Sequence, residues 1–167
     1  AASLGAGDAE VVWNLEINTF EVVGAGAATA SDWSTPLLLA AAAALLVLGL
    51  LARRRDALAA LADVSVGLVA VLVVTNKVGS PQFTAWLAAP IVLAILLAPR
   101  AEALARSRAF VPALLALAIA GLTQLVYPTL YDLVLVAHPA AVALLLGKHA
   151  LWLVLLGWSV AGLVRRP

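Results

Sequence analysis

Apolar residues dominate the chain in long blocks separated by short polar connections. The blocks near 35–52, 57–75, 82–98, 109–126 and 149–164 are each long enough, or nearly so, to cross a membrane as a helix. A hydrocarbon core of about 30 Å takes about 17–25 helical residues. A further apolar run, "LVLVAHPAAVALLLG" at 133–147, is short and carries Pro139. As a sixth crossing it would put one arginine group on the wrong side of the membrane, so it is expected as a re-entrant or interfacial half-helix in the outer leaflet. Residues 1–33 are acidic and mixed, with Trp13, Ile17 and Phe20 among polar neighbours, and are expected as an extracytoplasmic, interfacial segment. Residues 34–167 form the transmembrane domain. The fold class is therefore all-α, a polytopic integral membrane helix bundle of about five transmembrane helices plus the outer half-helix.

Composition agrees with this pattern. Hydrophobic residues make up 65% of the 167 and charged residues 11%, against roughly 25% charged in soluble domains. The net charge of +1 leaves no basic surplus for nucleic acid. Without cysteine there is no disulfide, thiolate metal site or cysteine nucleophile, and two histidines leave little for a metal. The chain opens without Met and without a basic-then-apolar leader pattern, and is expected to be the C-terminal piece of a longer protein.

The cations orient the bundle. Arg53, Arg54, Arg55, Arg100, Arg106, Arg108, Arg165 and Arg166 all fall on one side of the five-span arrangement, which the positive-inside rule makes cytoplasmic. Lys77 and Lys148, the only lysines, fall on the other side with most of the carboxylates. The C-terminus is then cytoplasmic and residues 1–33 lie outside.

Candidate chemistry gathers at that outer face. In "KVGSPQF", Ser80 before Pro81 reads as a helix start, Ser as N-cap and Pro in the first turn. Helix N-termini favour anions, so Lys77, Ser80 and Gln82 make a candidate phosphate site at headgroup depth. The plainer alternative is a snorkelling lysine beside helix punctuation. Lys148 and His149, placed just before the last span, are candidates for the same phosphate. Tyr127, Tyr131 and Asp132 form a second outer cluster. The tyrosines suit interfacial anchors, and Asp132 suits either a sugar contact or a solvated cap. His138 reads as a local cap. Asp63 lies inside the second span, where a carboxylate is either paired structurally or part of a proton path.

The same residues carry a resemblance. "KVGSPQFTAWL" resembles the K-V-x-S-P-Q-[YF]-x-x-W-L stretch of polytopic C-fold glycosyltransferases, and more narrowly of bacterial polyprenyl-phosphate-mannose-dependent mannosyltransferases. "LEINTFEVV" is similar to an outer-loop L-Q-I-E-S-V of that family, and "TQLVYPTLYDLVL" to its Y-P-x-x-Y-D. The chain departs from it at Glu16 and Asn18, where the family tends to have Gln and Glu, and at Lys148-His149, where it tends to have Arg-Asn. The resemblance implies transfer of a mannose-like sugar from a polyprenyl-phosphate donor to an extracytoplasmic lipid or glycan acceptor, in the plasma membrane of a bacterium. Donor phosphate would meet Lys77, Ser80, Gln82, Lys148 and His149; Glu16, Asn18, Tyr131 and Asp132 would touch acceptor or sugar. The family's catalytic Asp lies in a first outer loop that resembles nothing here, so it is expected in an N-terminal remainder of the protein. No cofactor is evident and metal dependence is open. The competing expectation is a non-catalytic polytopic protein, either a lipid-binding assembly subunit or a transporter.

Overall fold

A computed structural model describes residues 2–3, 10–16, 19–54, 56–97 and 103–164. The membrane portion is an all-α bundle: α1 (Ala25–Ala52), α2 (Ala57–Thr75), a 3-10 run Pro81–Leu87 continuing into α3 (Ala88–Leu97), α4 (Ala103–Gln124), a π-type segment Leu125–Thr129, α5 (Tyr131–Leu135) and α6 (Pro139–Val164). Four stretches are long and apolar enough to cross a membrane: Ala25–Ala52, Ala57–Thr75, Phe110–Thr129 and Pro139–Val164. The protein is thus a multi-pass membrane protein. The shorter 81–97 run spans about 29 Å, close to a hydrocarbon core of roughly 30 Å.

Successive helices run antiparallel. Gly49 of α1 meets Val64 of α2, and Leu45 meets Gly67. On the next interface Gly67 meets Ser159 of α6, and Asp63 meets Gly162. Arg53 and Arg54 consequently lie at one end of the bundle, and the 76–80 and 136–138 connections at the other. The sharp return from α1 to α2 has a local cause: the Asp56 carboxylate accepts the Ala59 N–H at 3.0 Å and caps α2.

Three helices differ from their expected bounds, and α4, starting at Ala103 against an expected 109, differs least. The first begins at Ala25, about ten residues before the apolar block at 35–52. Its opening turns, "AGAATASDWST", are too polar to register as a span but rich in alanine, the best helix former. At the other end, the expected re-entrant 133–147 and final span 149–164 are not separate. A five-residue α5 closes at Val136, and α6 then runs without a break from Pro139 to Val164. Pro139 starts this helix instead of breaking it, because its missing N–H and fixed φ suit the first helical position. His138 acts as the local cap, accepting the Ala140 N–H on Nδ1 at 3.3 Å. The α5 end is a Schellman motif: His138 N–H donates to Leu133 O, and Ala137 N–H to Val134 O. Ala137 takes the left-handed position at φ 53°, where glycine is usual.

Before α1, the described residues of the expected outer segment form three short antiparallel strands, β1 (Ala2–Ser3), β2 (Glu10–Asn14) and β3 (Thr19–Val23). Trp13 pairs with Phe20, ring centroids 4.7 Å apart and edge-on, while Asn14 donates to Glu21 at 3.1 Å on the opposite face. Val11, Trp13, Phe20 and Val22 thus share one face of the ribbon. Only Gly24 separates β3 from α1.

Lipid is as apolar as leucine, so close packing has to hold the bundle together. Small residues permit it. The α1–α2 contact closes at Gly49, and the α2–α6 contact at Gly67 and Gly162. The Ser159 hydroxyl also donates to the Asp63 carbonyl. Asp63 is therefore packed into the α2–α6 interface, in keeping with a structural role. One core cluster joins Val66, Ala70, Leu87, Ile119, Trp152 and Leu155; a second joins Leu45, Ala52, Ala60, Val71 and Leu163. Large apolar side chains on the outside, such as Leu117 at 69% exposure, form the surface offered to lipid.

Candidate functional site

A cavity of about 310 Å³ opens at the end of the bundle that carries both lysines. It lies between the end of α2, the 76–80 connection, the start of the 3-10 run, the π-type segment and the middle of α6. Its polar lining is Asn76, Lys77, Ser80, Tyr127, Lys148 and His149, with Thr84 below. Phe83 and Trp152 make the apolar floor; Trp152 is 1% exposed and belongs to the main core cluster.

Each wall has a local explanation. Asn76 ends α2 in an extended conformation, and its side-chain oxygen accepts the Val78 N–H at 3.1 Å. That Asx turn reverses the chain and leaves Lys77 exposed at the rim. Ser80 has the extended backbone of an N-cap and is followed by Pro81, as the sequence pattern predicts. Its hydroxyl makes no cap hydrogen bond; its carbonyl accepts the Phe83 N–H instead. The 3-10 run is tied to α4 by two hydroxyls. Thr123 donates to the Ile119 carbonyl at 2.7 Å, so its contact with Thr84 at 3.2 Å has Thr84 as donor.

Lys148 and His149 do not precede the last helix but ride on it, about 14 Å along α6 from Pro139. Counting about 20 residues back from Val164 reaches Leu145, so both lie near the edge of the hydrocarbon core. Lys148 is half-buried, its ammonium 5.6 Å from the centroid of the Tyr127 ring. Tyr127 leaves helical geometry at φ −118°, ψ 115°, and Tyr131 packs on it with centroids 5.0 Å apart. The His149 Nδ1 lies 2.8 Å from the Leu145 carbonyl. In the neutral ring that makes Nδ1 the donor and leaves Nε2 as an acceptor; in the imidazolium Nε2 donates.

Four of the five residues expected at a phosphate thus line one cavity: Lys77, Ser80, Lys148 and His149. Gln82 is exposed and outside the lining, since Ser80, Phe83 and Thr84 occupy the inward face of the run. Tyr131 touches the site through Tyr127, while Asp132 is exposed on α5. Glu16 lies in the turn of the strand ribbon, its N–H donating to Asn14 Oδ1 at 2.9 Å. Asn18 lies outside the described residues. Sequence reasoning assigned Tyr127 to interfacial anchoring and Trp152 to packing or an aromatic belt, and left Asn76, Phe83 and Trp152 out of the candidate site. A polar residue just before Lys77 was the only available signal among those three.

The lining holds two ammonium groups, an imidazole, an amide, two aliphatic hydroxyls and a phenol, and none of its described residues is acidic. Such a set is suited in charge to an anion. Among the described residues no cluster of three metal-ligating side chains occurs. No family model, curated protein or solved structure matches the chain.

Proposed function

We propose that the chain is a membrane glycosyltransferase, or the C-terminal portion of one. It transfers a mannose-like sugar from a polyprenyl-phosphate donor to a lipid or glycan acceptor. One observation carries the reading: Lys77 and Ser80 from the α2–α3 connection meet Lys148 and His149 from α6 around one cavity with no acidic residue among its described lining. That cavity lies at the depth where a lipid's phosphate rests while its tail stays in the bilayer. The resemblance of "KVGSPQFTAWL" to polyprenyl-phosphate-mannose-dependent enzymes supplies the reaction class. The arginine distribution supplies the orientation, with the cavity facing away from the cytoplasm of a bacterial cell.

In this reaction the bond between the anomeric carbon and the phosphate oxygen breaks, and the oxygen keeps the electron pair. The acceptor hydroxyl bonds to that carbon and gives its proton to a general base, which the resemblance places in a loop outside this chain. Charge grows on the phosphate as the sugar leaves. Lys77 and Lys148 stabilise it there, Ser80 donates a hydrogen bond, and the apolar floor keeps the local dielectric low.

The test is sugar transfer by membranes containing the full-length protein, with radiolabelled polyprenyl-phosphate-mannose as donor. Transfer that Lys77→Ala reduces at least about tenfold, with folding intact, supports the reading. Donor binding with no transfer to any acceptor would instead make the protein a lipid-binding subunit. No binding at all would leave "KVGSPQF" as helix punctuation.

A further inference from the structure

The cations around the cavity are not neutralised by the cavity itself. Lys77 and Lys148 both line it and no described lining residue is acidic. What holds Lys148 is the Tyr127 ring, 5.6 Å from the ammonium. A ring face orients a cation through its quadrupole and leaves the full positive charge in place, whereas a carboxylate at that position would cancel it. The half-buried position of Lys148 also reduces screening by water. Two ammonium groups with no acidic residue among the described lining match a ligand of charge −2.

The sugar-loaded donor does not have that charge. Its phosphate is a diester and carries one negative charge. The spent lipid is a phosphate monoester, which carries between one and a half and two at neutral pH, its second ionisation lying near pH 6. Binding at two cations also favours the doubly ionised form. We infer that the cavity is matched in charge to the lipid phosphate monoester, so that it holds the spent lipid more tightly than the sugar-loaded phosphodiester. This rests on the function proposed above and deepens it. The interaction that favours charge growth on the leaving phosphate also retains the product, and the monoester inhibits transfer until it departs into the bilayer.

The experiment compares two probes that share a tail and differ by one charge: polyprenyl phosphate and its methyl ester. Each competes with a fluorescent lipid phosphate for the full-length protein in nanodiscs, at low ionic strength. The monoester is expected to bind at least about tenfold more tightly. Lys148→Gln should bring the two within about threefold of each other, while Lys148→Arg, which keeps the charge, should preserve the preference. Equal affinities, or a tighter diester, would overturn the charge match and leave lipid-phosphate recognition standing. Binding of neither probe would remove both this inference and the reading beneath it. Inorganic phosphate should compete only at far higher concentration; equal potency would assign the cavity to soluble phosphate and overturn selection of the lipid.

Discussion

Lys148 is held at the cavity by Tyr127: the ammonium of one lies 5.6 Å from the ring centroid of the other, across the α4–α6 boundary. Tyr127 reaches that position because the chain leaves helical geometry there before Pro128. A cation–π contact in a partly desolvated site contributes about 0.5–2 kcal/mol. Tyr127→Leu should therefore weaken lipid-phosphate binding by roughly 2- to 30-fold, while Tyr127→Phe, which keeps a ring face, should stay within about twofold of the parent. Isothermal titration in nanodiscs separates the two; equal losses would show that the ring face is not what matters.

The α2–α6 interface gives a stability prediction. A Cβ added at Gly162 would meet the Asp63 carboxylate, whereas one at Gly157 has nothing within 4 Å. Gly162→Ala should cost about 1–3 kcal/mol through overpacking, read as a lower thermal midpoint in detergent. Gly157→Ala should lower it by no more than a degree or so, and a comparable drop at both sites would remove the close-packing explanation.

A compensating pair tests the α1–α2 contact. A Cβ at Gly49 would collide with a Val64 methyl. Gly49→Ala should destabilise the protein, and adding Val64→Ala should recover part of the loss. The coupling expected from a double-mutant cycle is about 0.5–3 kcal/mol. Strict additivity would mean that the two side chains do not meet.

Ala137 sits at the left-handed position that closes α5, where a side chain costs about 1–2 kcal/mol. Part of the gain from removing it is lost to glycine's freedom in the unfolded chain. Ala137→Gly should consequently raise stability by about 0.5–1 kcal/mol. A lower thermal midpoint in this variant would contradict the Schellman geometry.

Cysteine labelling tests the arrangement of the bundle. The chain lacks cysteine, and Gly79 and Arg54 are both exposed at opposite ends. Gly79→Cys should react with an impermeant maleimide from outside intact cells, and Arg54→Cys only after lysis. Labelling of both from one side would overturn the antiparallel order.

How much of this was legible beforehand depended on whether the signal was local. The bounds of α2 match the apolar block at 57–75 because Asp56 and Asn76 are polar terminators next to an uninterrupted run. The start of α1 was hidden, because helix propensity in an alanine-rich polar stretch leaves no hydropathy signal. Continuity of α6 was hidden for a related reason: Pro139 and the Lys148-His149 pair look like boundaries in sequence, yet proline begins helices and a cation inside one survives where a cavity receives it. At the site, the residues with distinctive chemistry could be nominated one by one. Phe83 and Trp152 could not, since a cavity floor is defined by which helices meet and not by residue type. Gln82 was nominated on adjacency alone and lies outside the lining, because a helical run turns successive residues to different faces.

The unbroken α6 carries a last consequence. Lys148 rides on a rigid rod locked to α2 at Gly67–Ser159 and Asp63–Gly162, so no loop can adjust how deep the ammonium sits. Its immersion is set instead by hydrophobic mismatch between the bundle and its host bilayer. The helix acts as a ruler against which membrane thickness is read. Thicker bilayers of longer acyl chains should draw the ammonium below the headgroups and weaken binding of lipid phosphate, and thinner ones should lift it into water. Affinity measured across a series of acyl lengths should pass through a maximum; a flat series would show that the bundle tilts to compensate.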